Sequence, residues 1–341
     1  MRIFVCGMGV VGRAVCELLA SRGPELRSRY GVPLTLAGVS DSRAIVLAGS
    51  DSAELDPLAV VAAKQAGKLG TMEGAMPAAL PPRELAGRCQ TLGIDVFVDC
   101  SPTDLKTAAM PTERMLAMLA LRIGVVSVNK GPLATAMPAL LEAARYNQVQ
   151  LRFSGTVGGG TPVLATGSTL NRGETVTAIR GIVNGTTNFI LWKMATERWA
   201  FDVALAEAQR LGYAETDPTA DVDGWDAAAK VVILANAVLG IRATVQQVSV
   251  TGIRGVTPER IASAAAAGKV VKLIAGASAA GLTVAPQEVD AAGPLNTSGS
   301  LNAVEFTLSS GAVVAITGRG AGGVETASAV LRDLIDIGTM R

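Results

Sequence analysis

The sequence predicts an α/β protein of two domains, a parallel sheet wound with helices and then an α+β domain. Three observations carry this. The chain has 341 residues, 49% of them hydrophobic, which is past the length at which one core usually gives way to two. From Arg2 to about Asn147, short β-branched runs alternate with longer Ala/Leu-rich segments, the pattern of successive βα units. Around residues 151–161 the composition turns to Gly, Ser and Thr, and beyond it strands and helices follow in irregular order. The expected division is residues 1–150, residues 151–317, and a closing segment 318–341 that returns to the first domain.

In the first part, strands are expected at 3–6, 34–40, 96–100 and 125–128, and helices at 11–21, 55–67, 112–121 and 134–146, where apolar residues recur at three- and four-residue spacing. The stretch 70–82, with Pro77, Pro81 and Pro82, breaks the periodicity and reads as a surface connection. In the second part, strands are expected at 177–183, 270–275, 303–308 and 312–317, and a helix at 325–337.

Composition narrows the function. With 30 basic and 29 acidic residues the net charge is +1, which gives no electrostatic footprint for nucleic acid or an anionic membrane surface. No uncharged apolar run approaches the ~20 residues that span a bilayer, and Met1 leads straight into a strand without a signal-like segment. A cytoplasmic protein acting on a small molecule is expected. The chain contains no histidine, so the commonest general base and metal ligand are both missing. Proton transfer must use Lys, Asp, Glu, Tyr, Cys or water. Cys6, Cys16, Cys89 and Cys100 form no C-x-x-C pair and read as free thiols.

The first chemical motif is Gly7-Met8-Gly9-Val10-Val11-Gly12, a G-x-G-x-x-G between a strand and a helix. In that position the glycines allow a tight turn, close approach of backbone to a pyrophosphate and close helix packing, the requirements of a dinucleotide site. The next strand ends in Asp41-Ser42-Arg43. Asp41 can accept from a ribose 2′-hydroxyl, while Arg43, with Ser42 or Lys64, can pair with a 2′-phosphate; NAD and NADP therefore both stay open. Two later strands end in Ser101 and in Asn129-Lys130, and both clusters should face the same crevice.

In the second part, Asn184-Gly185-Thr186-Thr187-Asn188 crosses from strand to helix with a dense set of polar groups, some of which must cap that helix. An acidic segment holding Glu215 and Asp221 precedes a helix with Asp226 and Lys230 at i, i+4 spacing. Such a pair usually lies on a surface. Here the helix continues as Val231-Val232-Ile233-Leu234-Ala235, so Lys230 emerges from a buried face and becomes a candidate acid/base.

These motifs together resemble homoserine dehydrogenases over nearly the whole chain. The residues that carry the likeness are Gly7 to Gly12, Val128-Asn129-Lys130, Thr156 to Pro162, Asn184 to Ile190, the Gly212 to Lys230 spacing, and Gly320-Ala321-Gly322 with Thr326 to Leu331. The resemblance implies a Rossmann-type dinucleotide-binding domain and an α+β catalytic and dimerisation domain in a homodimer, in a short form without a C-terminal regulatory domain. It implies NAD- or NADP-dependent interconversion of L-homoserine and L-aspartate 4-semialdehyde, in threonine and methionine biosynthesis. By the same likeness, Lys230 matches the proton-transferring lysine, Lys130 the lysine between cofactor and substrate, and Glu215, Asp226 and Thr186 substrate-contacting positions, with Asp221 beside them. Gly320 joins the cofactor set. Many members bind sodium with a Glu at position 154 and with carbonyls of the following loop; this chain has Ser154, leaving only carbonyls such as those of Val157, Gly159 and Thr161, which makes a sodium site doubtful. A dehydrogenase for another amino-acid semialdehyde or 2-amino acid is the enzyme alternative, and a dinucleotide-sensing regulator the non-enzyme one.

Overall fold

The computed structural model describes residues 1–49 and 53–340. The chain forms two compact units, Met1–Thr156 with Gly322–Arg341, and Val157–Ala321; Arg341 itself lies outside the described residues.

Unit 1 begins with β1 (Arg2–Cys6), α1 (Val10–Tyr30), β2 (Thr35–Ser40), β3 (Ala44–Leu47), α2 (Pro57–Gln65) and β4 (Ala75–Pro77). It continues with α3 (Pro82–Thr91), β5 (Val96–Asp99), α4 (Ala109–Ala120), β6 (Gly124–Ser127), α5 (Lys130–Tyr146) and β7 (Leu151–Arg152). The strands form one sheet in the order β4-β3-β2-β1-β5-β6-β7. β1 pairs in parallel with both β2 and β5, so the strand order reverses there and a ligand crevice opens beyond the carboxyl ends of these strands. Phe4 and Phe97 stack at 5.4 Å between ring centroids in the sheet core.

The expected parallel sheet is in fact mixed. β3 and β4 extend it antiparallel at one edge, because Asp41 closes a tight turn after β2 by accepting backbone bonds from Arg43 and Ala44. The stretch expected as a bare surface connection therefore contains β4, whose Pro77 is tolerated on an edge strand where no N–H is required. The prolines that read as breakers also open α3, with Pro82 at its first turn, where a missing N–H costs nothing. α1 likewise runs through Pro24 to Tyr30 and does not stop near residue 21.

Unit 2 contains α6 (Val163–Gly173), β8 (Val176–Ile182), α7 (Gly185–Thr196), α8 (Phe201–Arg210), α9 (Thr219–Val222) and α10 (Trp225–Ala237). Then follow β9 (Val248–Val250), α11 (Pro258–Ala266), β10 (Lys269–Ser278), β11 (Gly281–Asp290), β12 (Leu301–Leu308) and β13 (Val313–Arg319). Its sheet runs β13-β12-β8-β10-β11-β9. β11 escapes the sequence pattern because Pro286 interrupts it. That residue lies beyond the reach of β9, which pairs only with Leu282 to Val284, so the strand accommodates it on a free side.

The chain closes with α12 (Gly323–Thr339), which packs on α1 and belongs to unit 1. Asp333 on α12 is buried and accepts from the Ser154 N–H at 2.9 Å and from its hydroxyl at 2.6 Å. All four cysteines are free, and burial pushes Cys6 up to about 11 and Cys16 and Cys89 up to about 12, so these thiols stay protonated.

Burial raises the Asp333 carboxyl to about 6, against the two bonds from Ser154. The native state thus holds this proton more tightly than the unfolded chain, and the group favours folding below pH ~4 and loses that contribution as the pH rises through about 6. The unfolding free energy of the wild type relative to Asp333→Asn, measured by denaturant titration, should therefore fall between pH 4 and pH 7 by up to ~3 kcal/mol; a pH-independent difference would exclude the titration.

Candidate active site

The crevice of unit 1 starts at Gly7, whose φ of +95° is a conformation that favours glycine and whose N–H donates to the Ser40 carbonyl at 2.8 Å. A Cβ on Gly7 would strike the Cys100 backbone, and one on Gly12 the Gly7 carbonyl. Gly9 is different, since a Cβ there would meet nothing within 4 Å. It stands at the N-cap of α1, which has no side-chain cap bond and no acidic residue in its first turn. Beside Gly9, the helix start thus offers N–H donors and the positive end of the helix dipole, as a pyrophosphate requires. Met8 is buried under this turn, whereas Val10 is exposed at the first helical position and Val11 packs against the core. These residues fit a dinucleotide.

At the end of β2, Asp41 spends one oxygen on the turn N–H groups of Arg43 and Ala44, at 2.8 and 2.9 Å, and pairs the other with Lys64. Burial opposes ionisation, but the Lys64 bond and the backbone bonds outweigh it and hold the carboxyl below its usual range. Ser42 and Arg43 are exposed. At the end of β5, Ser101 donates its N–H at 3.0 Å and its hydroxyl at 2.6 Å to Asp99 Oδ1. Asn129 Nδ2 donates to Ser101 Oγ at 3.0 Å, while its Oδ1 caps α5 by accepting from Gly131. Lys130, half-buried, is the first residue of that helix. Two strand ends are thereby tied together beside the glycine turn. Asp99 was not singled out from the sequence; burial pushes its carboxyl up, and its Oδ2 is buried without a hydrogen-bond partner.

The chemistry of unit 2 gathers where β8 passes into α7. Asn184 is the N-cap, and its Oδ1 accepts from the Thr187 N–H at 2.9 Å and hydroxyl at 3.0 Å. Its Nδ2 donates to Asp221 Oδ1 at 2.6 Å and to Asp226 Oδ2 at 2.9 Å. The same Asp226 oxygen pairs with Lys230 Nζ at 2.7 Å, and Nζ also donates to the Val183 carbonyl at 2.7 Å. Lys230 is 8% exposed, on the buried run of α10. Burial and then the neighbouring charge of Asp226 push the Asp221 carboxyl up, against the Asn184 bond and Lys230.

Thr186 is buried beside this junction and donates its hydroxyl to the Tyr213 carbonyl at 2.7 Å, which leaves it only lone pairs for a ligand. Glu215 is exposed and stays outside the network, its carbonyl accepting from Gln209 at 3.1 Å. The structure thus brings Asp221, Asp226 and Lys230 together. Asn184, expected only as one of several capping groups, makes the connection. The signal was present as an Asn before Gly-Thr-Thr, but nothing in the sequence says which carboxylates face its amide.

The candidate sodium carbonyls lie in a turn where Thr161 N–H donates to Gly158 and the Thr161 carbonyl accepts from Val163, both at 2.8 Å. Val157 is buried, and Gly159 packs against the Gly320 backbone. No carboxylate stands at position 154, and the Ser154 hydroxyl is turned to Asp333. This donor set does not fit a cation well. Gly320 has a packing reason of its own, since a Cβ there would overlap the Asn302 amide.

Residues 162–335 match the homoserine dehydrogenase family model. The chain is 37% identical to the homoserine dehydrogenase of Methanocaldococcus jannaschii, over 99% of this chain and 98% of that one. It is 35% identical to the NAD(+)-dependent homoserine dehydrogenase of Pseudomonas canavaninivorans, over 98% and 96%. A solved hyperthermophilic archaeal homoserine dehydrogenase in complex with NADPH superposes with a TM-score of 0.83 at 29% identity, over 98% of this chain and 96% of that one. That of Thiobacillus denitrificans gives 0.84 at 28%, over 100% and 73%. The glycine turn of unit 1, the lysine–carboxylate junction of unit 2 and these full-length likenesses agree, and the chain belongs to the homoserine dehydrogenase family.

Proposed function

We propose that the protein interconverts L-homoserine and L-aspartate 4-semialdehyde with NAD(P), in the route to threonine and methionine, and that Lys230 moves the proton. The observation that carries the assignment is the buried ammonium of Lys230, fixed by Asp226 and the Val183 carbonyl. The nicotinamide supplies or accepts the hydride.

In the reducing direction, negative charge develops on the aldehyde oxygen as carbon accepts hydride. Lys230 Nζ stabilises that charge and passes a proton to the oxygen; in the oxidising direction the neutral amine takes the hydroxyl proton back. Asp226 keeps the ammonium in place between turnovers. Glu215 and the lone pairs of Thr186 are suited to the substrate α-ammonium, and Asp221 is held beside Asp226 by the Asn184 amide. Lys130, at the head of α5, is the second ammonium for the developing charge.

On the cofactor side, Asp41 is already paired with Lys64, while Ser42 and Arg43 lie exposed at the same turn. This favours a 2′-phosphate, and so NADP, over a free ribose diol. Among the described residues no helix is long and apolar enough to cross a membrane. A cytoplasmic homodimer acting on small molecules is the assembly that accords with the family likeness.

Three outcomes test this reading. Replacing Lys230 by Ala should lower kcat at least ~10²-fold, followed as nicotinamide absorbance with homoserine as substrate; near-normal kcat would remove Lys230 from the proton transfer. With NAD and NADP assayed in parallel, the wild type should prefer NADP, and Arg43→Ala should raise KM for NADP while leaving that for NAD unchanged; a wild-type preference for NAD would reassign the turn to a ribose diol. Activity should be equal in sodium and in choline buffers of the same ionic strength, and a sodium requirement would restore the carbonyl site despite Ser154.

A further inference from the structure

Lys272, on β10, is the second buried lysine of unit 2 and has no part in the proton transfer described above. It is 3% exposed. Its Nζ donates to Asn188 Oδ1 at 2.8 Å and to the Thr297 carbonyl at 2.6 Å, and among the described residues no carboxylate forms an ion pair with it. Burial alone drives its pKa down to about 8. An ammonium held this way is costly, because neutral acceptors only partly replace its hydration. The start of α7 adds the positive end of a helix dipole nearby. An apolar side chain would fill the position at less cost.

What the ammonium does is organise the first turn of α7. Asn188, one turn after the N-cap, accepts from Lys272 and turns its Nδ2 towards the Thr297 hydroxyl at 3.1 Å, the Gly299 carbonyl at 3.0 Å and the Leu301 carbonyl at 2.9 Å. Lys272 and Asn188 thus gather residues 297–301 around themselves. That segment closes directly on the helix start, since a Cβ on Gly185 would come within 2.7 Å of the Ser300 carbonyl. Gly185 follows Asn184, whose amide holds Asp221 and Asp226, and Val183 supplies the carbonyl on which Lys230 rests. The two lysines therefore anchor the same short stretch of chain, Lys230 through the Val183 carbonyl and Lys272 through the Asn188 side chain.

We propose that Lys272 is a positioning residue for Lys230: by locking Asn188 and residues 297–301 against the first turn of α7, it fixes the Asn184 amide and the Val183 carbonyl that aim the catalytic ammonium. This rests on the assignment of Lys230 as the proton-transferring group.

The test is Lys272→Met, which keeps the length of the side chain and removes its charge and donors, beside a Lys272→Met/Asn188→Leu pair that removes both members of the Lys272–Asn188 bond, so that Asn188 Oδ1 is not left buried without its donor. For each, kcat and its pH profile, cofactor affinity and the thermal midpoint are measured. A misaimed ammonium should lower kcat about 10- to 100-fold and displace the limb of the kcat–pH profile that reports Lys230. Affinity for the cofactor, which unit 1 holds, should stay the same, and the loss of kcat should be present in the fraction that remains folded below the thermal midpoint of each variant. If Lys272→Met fails to fold, the pair decides alone. Normal kcat, or a loss that follows only the folded fraction with the pH profile unmoved, would overturn the proposal. Lys230→Ala measured alongside separates the two assignments: if it abolishes turnover while the Lys272 variants are normal, only the role of Lys272 fails, and if it retains turnover, the assignment of Lys230 has failed first.

Discussion

The geometry of the lysine–carboxylate junction depends on one side-chain amide, that of Asn184. Its carbonyl end satisfies the first turn of α7 and its amino end holds two carboxylates from a different stretch of chain. An asparagine cap alone stabilises a helix by ~1 kcal/mol. The greater consequence is geometric, because the amide cannot turn over without losing both sets of bonds. Asp226 is therefore presented to Lys230 in one orientation, and the Val183 carbonyl beside it takes a second ammonium proton. The proposed proton transfer then falls to the third proton of Lys230.

Charge balance at this junction follows from the same arrangement. Two half-buried carboxylates and one buried ammonium would leave an uncompensated negative charge, and low-dielectric surroundings resist that. Asp221 relieves it, since burial and the charge of Asp226 both raise its carboxyl, whereas Asp226 is the partner bound directly to Lys230. Unit 1 uses a similar device. Asn129 caps α5 with its oxygen and uses its amino group to tie Ser101, at the end of β5, to the end of β6. In both units an asparagine at a strand–helix turn sets the polar groups beyond a strand end, and in both a lysine is placed by that turn, Lys130 at the helix head and Lys230 opposite it.

Legibility in the sequence followed the range of the interactions. The strands of the first half and the glycine turn were readable because their signals are local: β-branched runs, G-x-G-x-x-G and helical spacing. β4, α3 and β11 were not, because each contains a proline, and whether a proline breaks or merely borders an element depends on which side of the sheet or helix lacks a partner. Pro77, Pro82 and Pro286 all occupy positions where no N–H is needed, a fact of tertiary context. The pair Asp226 and Lys230 was visible from i, i+4 spacing on an apolar helix. Asn184 and Lys272 act over 42 and 84 residues of separation, and no local pattern marks them. Glu215 was singled out by its place in the acidic segment and by family likeness, yet the side chains around Lys230 pair without it.

The proposed role of Lys230 also suits a chain without histidine. An imidazole changes charge near neutral pH, whereas a lysine ammonium has an intrinsic pKa near ~10.4 and stays charged unless its surroundings remove the proton. Stabilising a developing alkoxide needs a positive charge already in place before the hydride moves, and a paired ammonium supplies it without any change of protonation on binding. The demand on the surrounding structure is then one of placement. A flexible four-carbon side chain provides no placement of its own, so the surrounding structure must impose it. The buried face of α10, the Asp226 carboxylate and the Val183 carbonyl constrain Nζ at the cost of a desolvated cation, and the stability of that arrangement is set by how rigidly the first turn of α7 is held.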